Sequence, residues 1–300
     1  MNDIPSDKKP PLDVILAMVK NKNIDVAKSL CKQFGLNYQH PELLACGVST
    51  LPQITTTWLK KFITVDTEML ELKRQASILA THDYPVLIQG ESGTGKELLA
   101  RALQGDRKGN FVALNCAGMP EHLIESELFG HVAGAFTDAK QQKLGLMRHA
   151  QDGVLFLDEI GDLDSKVQAK FLRALQERVV RPVGSNVDHA INCRIVCATH
   201  WNLWELVQAK RFRLDLYARI SAFKLQTKPL RERQKDIFEI IKTLPQCTPE
   251  VLVKLVPLIT KFIEKYNNQV DIFQAKDLLP LNVRDLEAIV ARYVVLGVEP

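Results

Sequence analysis

The sequence predicts an α/β domain, a parallel sheet covered by helices on both faces, with a small helical module before it and a helical lid after it. Three observations predict it. Short apolar runs at 85–89, 111–114, 154–157 and 194–198 each precede a turn or a helical stretch, the layout of β-α-β units. The first run passes directly into a glycine-rich loop. The third ends in two adjacent carboxylates, as expected where the carboxyl edge of a buried sheet faces a ligand.

Taken in order, residues 1–62 read as helical. Leu12, Ile15, Met18 and Val19 have helical spacing, as do Val26, Ala27, Leu30, Cys31 and Phe34, with Gly35 and Asn37 as stop signals. Pro41, Gly47 and Pro52 then punctuate the chain before Trp58 and Phe62. Two short helices and a turn fit either a DNA-binding helix-turn-helix or a docking module. The docking reading, with a regulatory or DNA-binding partner, is adopted, and direct DNA binding is left open. Residues 63–224 carry the alternating pattern. Residues 225–300 are helical only, with apolar sets such as Val251, Leu252, Leu255 and Val256, then Leu286, Ile289, Val290 and Tyr293. That is a lid.

Composition narrows the class. Of 300 residues, 46% are hydrophobic and 25% charged, the balance of a soluble globular protein. No apolar run approaches the roughly 18–20 residues of a membrane helix, and the polar start MNDIPSDKKPP is unlike a secretory signal. The expected location is the cytoplasm, with no membrane partner. A net charge of +4 permits nucleic-acid contact without arguing for it. The six cysteines form no CxxC pair and no zinc-spaced cluster. Cys193 and Cys197 share one face of a strand and read as buried small hydrophobes.

The strand Val86-Leu87-Ile88 enters the loop Gly90, Glu91, Ser92, Gly93, Thr94, Gly95, Lys96, and a helix starts at Glu97. Glycines there let the backbone turn several N–H groups toward one point. The helix dipole adds positive potential, and Lys96 reaches terminal phosphates. This is a P-loop, predicting ATP as ligand. The hydroxyl residue that normally follows the lysine to ligate Mg²⁺ is replaced by Glu97. The strand Val154–Leu157 then delivers Asp158 and Glu159. Asp158 is the expected Mg²⁺ ligand and Glu159 the residue that orients and polarises the attacking water.

These residues resemble a particular family, the central AAA+ ATPase domain of sigma-54-dependent transcriptional activators, from about residue 65 to 295. The likeness is densest in Gly90–Glu97, Phe111–Ala117, Glu125–His131, Gly134–Ala139, Leu155–Gly161 and Val167–Lys170. A glutamate after the P-loop lysine is usual in this family. The resemblance implies a homo-oligomeric ring, a hexamer, with ATP between subunits. Asn115 matches the position that restrains the catalytic glutamate. Arg213 and Arg219 match the arginines that enter the neighbour's site, the alternative being a solvated helix face. Thr199 and His200 lie in the sensor segment and are expected to contact the nucleotide, His200 by bonding a phosphate or water unless it is merely structural. Arg284 matches the lid arginine that senses the γ-phosphate. Gly134, Ala135, Phe136, Thr137, Asp138 and Ala139 match the loop raised toward sigma-54. Phe136 is then the contact residue, unless it folds back on its own hairpin.

The pattern departs from the family in four places. Asp138 replaces the second glycine of the usual GAFTGA, and His200 stands where asparagine is usual. Leu281 replaces the glycine before Asn282, and residues 240–280 match poorly. Finally, neither a receiver-like domain nor a C-terminal helix-turn-helix is evident. The leading reading is an ATP-hydrolysing activator that remodels sigma-54 RNA polymerase. The alternative is an AAA+ adaptor or remodelling ATPase that uses the same engine on another protein client.

Overall fold

The computed structural model describes residues 57–137, 139–267, 279 and 281–297. The helices expected within 1–56 and the side chain of Asp138 lie outside the described residues. Those described fall within a compact unit, Ile54–Pro300.

Its centre is a five-stranded parallel sheet of β1 (Val86–Gln89), β2 (Phe111–Asn115), β5 (Val154–Asp158), β8 (Arg194–Thr199) and β9 (Phe223–Gln226), in the order β2-β5-β8-β1-β9. Strands β1 and β8 are buried at every position, and β5 at all but its last. The two edge strands are partly exposed. That gradient is why the central strands are nearly continuous apolar runs in the sequence.

Successive side chains leave a strand on opposite faces, and the core divides accordingly. Leu87, Leu155, Leu157, Ile195 and Cys197 face one cluster. It is closed by α4 (Glu121–Phe129), α5 (Leu146–His149), α6 (Ser165–Glu177), α7 (Leu203–Gln208) and α8 (Leu214–Ile220). Val86, Ile88, Val154, Phe156, Val196 and Ala198 face a second cluster, closed by α1 (Thr57–Lys61), α2 (Thr67–Ala80) and α3 (Lys96–Ala102). Cys193 and Cys197 are 2% and 1% exposed in the first cluster, and burial pushes the Cys193 thiol up to about 11. Both are neutral packing groups.

Two small antiparallel hairpins stand outside this sheet. One pairs β3 (Gly130–His131) with β4 (Lys143–Leu144), the other β6 (Val179–Val180) with β7 (His189–Ala190). A third apolar cluster joins α9 (Gln234–Thr243), α10 (Pro249–Asn267) and α11 (Val283–Leu296), through Ile237, Ile241, Leu255, Ile259, Leu286 and Val290. Leu59 and Phe62, on the N-terminal side of the boundary read from sequence at 62/63, are core residues of the second cluster. Strand β9 pairs with β1 and runs past the boundary read at 224/225.

A buried ion pair ties these parts together. Asp236, fully buried in the first turn of α9, accepts from the Thr64 hydroxyl at 2.6 Å and from the N–H groups of Val65 at 2.6 Å and Asp66 at 3.2 Å. Arg233 Nη1 donates to Asp236 at 3.1 Å, while its other nitrogens reach the Lys228 and Thr94 carbonyls. Asp236→Ala strands a buried guanidinium and two backbone donors. It is expected to cost about 3–5 kcal/mol, read as a lower midpoint in chemical denaturation with an unchanged slope.

Candidate active site

The parallel register brings the carboxyl ends of the central strands to one edge. Asn115 pairs with Asp158, and Gln89 with Thr199. The glycine-rich loop leaves β1 at that edge, with Gly90 N–H donating to the Thr199 carbonyl at 3.1 Å. Gly93 has φ +74°, and a Cβ there would lie 2.0 Å from the Leu281 carbonyl oxygen. Only glycine fits both the backbone and the space.

Lys96 is 8% exposed. Its Nζ donates to the carbonyls of Gly90 at 2.8 Å and Glu91 at 3.1 Å and sits 3.7 Å from Glu159 Oε1. Burial holds its pKa below the usual lysine range, against the pull of the Glu159 and Asp158 charges. Asp158, the last residue of β5, has its carboxyl pKa raised, first by burial and next by Glu159. Glu159 takes a left-handed backbone, φ 53° and ψ 50°, which turns its carboxylate back over the loop. A cation held close to two acids, one of them poorly solvated, is an arrangement suited to polyphosphate and a divalent metal.

The raised pKa of Asp158 has a consequence for stability. In the window above the unfolded pKa, the fold loses stability as pH rises, and the full penalty stands once the buried carboxyl is ionised. Asp158→Asn removes that penalty. The nucleotide-free protein is expected to gain stability at neutral pH, read as a higher Tm. The difference should vanish below the ordinary carboxylate range, as a thermal melt at two pH values will show.

Other residues singled out from sequence are placed as follows. Thr199 is fully buried, its hydroxyl accepting the Trp201 N–H at 3.0 Å. His200 bonds Glu159, through its N–H at 3.0 Å and its Nδ1 at 2.6 Å. Asn115 Oδ1 accepts the Ala117 N–H at 2.9 Å, so its amide is turned to its own loop and not to Glu159. Glu97 turns to solvent and pairs with Arg101 at 2.8 Å. Ser92 Oγ accepts from Arg284 at 3.2 Å, and Thr94 Oγ1 is bonded to the Glu91 carbonyl and to Thr227 Oγ1.

Arg213 and Arg219 are not brought to this site. Arg213 is exposed and holds Asp215 with two bonds, 3.0 and 2.7 Å. Arg219, also exposed, lines a cleft of about 640 Å³ with Tyr84 and Arg178. In the loop at 134–139, Gly134 N–H donates to the Ala139 carbonyl at 2.8 Å and Ala139 N–H to the Phe136 carbonyl at 3.0 Å. Phe136 is 39% exposed, with its ring edge-on to His131 at 4.9 Å. The side chain is thus exposed and at the same time leans on His131 of its own hairpin.

Several residues at the loop carry no signal in the sequence reading. Asn282, 1% exposed with φ 56°, donates to the Ser92 carbonyl at 2.9 Å and accepts the Leu230 N–H at 2.6 Å. Val283 N–H donates to the Gly93 carbonyl at 3.2 Å. Arg231 pairs with Glu91, and Gln89 Nε2 donates to the Trp201 carbonyl at 2.6 Å. The one cue was the R-x-x-D spacing of Arg233 and Asp236 at a helix start, a common i,i+3 pair.

Comparison with known proteins gives concordant results. The family described as "Sigma-54 interaction domain" matches residues 62–226. The chain is 47% identical over 189 residues to the transcriptional regulatory protein GlrR of Escherichia coli (strain K12), covering 62% of this chain and 43% of that protein. It is 43% identical over 238 residues to the transcriptional regulatory protein ZraR of Klebsiella oxytoca, covering 76% and 51%. The chain thus spans about half the length of the curated relatives it matches. Among solved structures, NtrX from Brucella abortus in complex with ADP superposes with a TM-score of 0.61 at 25% identity, covering 96% of this chain and 60% of that one. Among the described residues no helix is long and apolar enough to cross a membrane.

Proposed function

The chain belongs to the sigma-54 interaction domain family, and on that premise we propose that it is an ATP-hydrolysing AAA+ activator that remodels sigma-54 RNA polymerase from the cytoplasm. The observation that carries the reading is the meeting of Lys96, Asp158 and Glu159 over the glycine-rich loop. Lys96 releases the loop carbonyls to bind the β- and γ-phosphates of ATP. Asp158 holds Mg²⁺, which neutralises phosphate charge. Its poorly solvated carboxylate fits a divalent cation. Glu159 orients the attacking water, and Arg284 reports the γ-phosphate from the lid. Thr199 anchors the strand end that carries His200.

The working form in this proposal is a homo-oligomeric ring, a hexamer, in which Arg213 and Arg219 reach the neighbour's phosphates. The loop at 134–139 carries the resulting motion to sigma-54 through Phe136, with Asp138 a tolerated variant of the glycine. In this proposal the helical module read from the sequence at 1–62 is a docking module for a regulatory or DNA-binding partner.

The test is capture of sigma-54 by the protein trapped with ADP and a metal-fluoride mimic of the transferring phosphoryl group. Capture is expected only with the mimic. In Phe136→Ala it should weaken by about 30-fold, the cost of a buried aromatic anchor worth roughly 2 kcal/mol. A wild-type chain that hydrolyses ATP yet captures no sigma-54, with capture restored by Asp138→Gly, would show that the engine serves another client.

A further inference from the structure

Glu159 has both carboxylate oxygens engaged in the site. Oε1 faces Lys96 Nζ at 3.7 Å. Oε2 receives two donors from one residue, the His200 backbone N–H at 3.0 Å and ring Nδ1 at 2.6 Å. A carboxylate only accepts, so Nδ1 carries the proton in this contact. A cation facing one oxygen and two donors on the other draw off the electron density that a water-polarising carboxylate needs, and they fix its direction.

The imidazole is itself held. It lies against the Trp201 ring at 4.6 Å. The Trp201 indole N–H donates to Asp162 at 2.8 Å, its backbone N–H to Thr199 Oγ1, and its carbonyl accepts from Gln89 at the end of β1. A Cβ on Gly161 would meet that indole at 2.8 Å. The ring is therefore positioned by groups from the ends of β1 and β8 and from the helical turn that follows β5. Asn115, at the position the family resemblance assigns to restraint of the glutamate, spends its amide oxygen on Ala117.

We propose that His200 is the positioning residue that parks Glu159, holding it off the attacking water until the site is engaged. This rests on the reading of Glu159 as the residue that polarises water. It replaces the phosphate-sensing role that position alone suggests for His200. Hydrolysis then requires Glu159 to give up the Nδ1 contact, and the strength of that contact sets the basal rate.

The experiment is steady-state ATP hydrolysis by the full chain, without sigma-54, in wild type, His200→Ala, His200→Asn and each combined with Glu159→Gln. A hydrogen bond to a charged group is worth about 1.5 kcal/mol at the low end, which is about 10-fold in rate. His200→Ala is expected to raise basal kcat by up to about 10-fold with KM unchanged. His200→Asn, whose amide N–H can reach the same oxygen, should return kcat toward wild type. In the Glu159→Gln background, His200→Ala should have no further effect. Unchanged or lower kcat in His200→Ala overturns the proposal, as does a raised KM, the mark of lost phosphate contact. The proposal also fails if the His200→Ala effect persists beside Glu159→Gln. If Glu159→Gln alone hydrolyses ATP at the wild-type rate, the role assigned to Glu159 is what fails. His200 has an exposed side chain, 42% accessible, so the variants should fold, and unchanged melting temperatures will confirm it.

Discussion

Glu159→Gln should lower kcat for ATP hydrolysis by about 10²–10⁴-fold, the span typical of a positioned general base, while nucleotide affinity stays within a few-fold. Glutamine keeps the volume and one carbonyl oxygen, so the loop and Lys96 should remain in place. What disappears is the negative charge 3.7 Å from Lys96. Removing it frees the lysine for phosphate, and the apparent affinity for ATP is expected to rise if it changes at all. Lys96→Ala should do the opposite and abolish binding, because Lys96 is the cation held between the loop carbonyls and Glu159, where the terminal phosphates would sit. Equilibrium titration with a fluorescent ATP analogue, beside steady-state turnover, separates the two. Glu159→Gln with near-normal kcat would remove the carboxylate from the mechanism altogether.

Arg219→Ala should cost about 10³–10⁵ in kcat, the range for an arginine that stabilises transition-state charge. Among the described residues neither Arg219 nor Arg213 makes a hydrogen bond to the loop, Asp158 or Glu159 of its own chain, so the proposed role places them in another copy's site. Mixing provides the decisive readout. Arg219→Ala retains Glu159, and Glu159→Gln retains Arg219, so an interface between the two variants contains one complete site. Activity from the mixture, where each variant alone is dead, requires a shared site; an inactive mixture of co-assembled chains refutes it. Arg213 enters such an interface only by exchanging Asp215 for phosphate. The exposed pair is worth about 1 kcal/mol or less, and the exchange is energetically easy.

What could be read from the sequence followed depth of burial. Strands β1, β5 and β8 announce themselves because both faces are covered, and the loop between β1 and α3 is one contiguous segment. Lys96, Asp158 and Glu159 were legible for that reason, the last two as the end of a buried run. Strand β9 was missed. It is an edge strand with three of four residues exposed, so neither alternation nor an apolar run marks it. Asn282, Thr227, Arg231 and the Arg233–Asp236 pair were illegible as parts of the site. Their partners on the loop or the linker lie 133 to 191 residues away in the chain, and only the folded lid and sheet edge bring them together. His200 was visible as a departure from the family, but its partner was not. The left-handed turn at Glu159 aims that carboxylate at His200, and a turn of this kind at a non-glycine residue leaves no trace in composition.

The lid's grip on the glycine-rich loop carries a consequence for the entropy of ligand capture. A loop with three glycines among seven residues would, by itself, sample many shapes, and a ligand would have to freeze them at the moment of binding. Here Asn282, Val283 and Arg231 fasten the main chain or side chains of Glu91, Ser92 and Gly93 beforehand. That ordering is settled during folding, so the loop meets its ligand already shaped. A chain cut after β9 would keep every phosphate-facing residue of the loop and the sheet edge, yet it should bind nucleotide with a less favourable entropy that calorimetry can read.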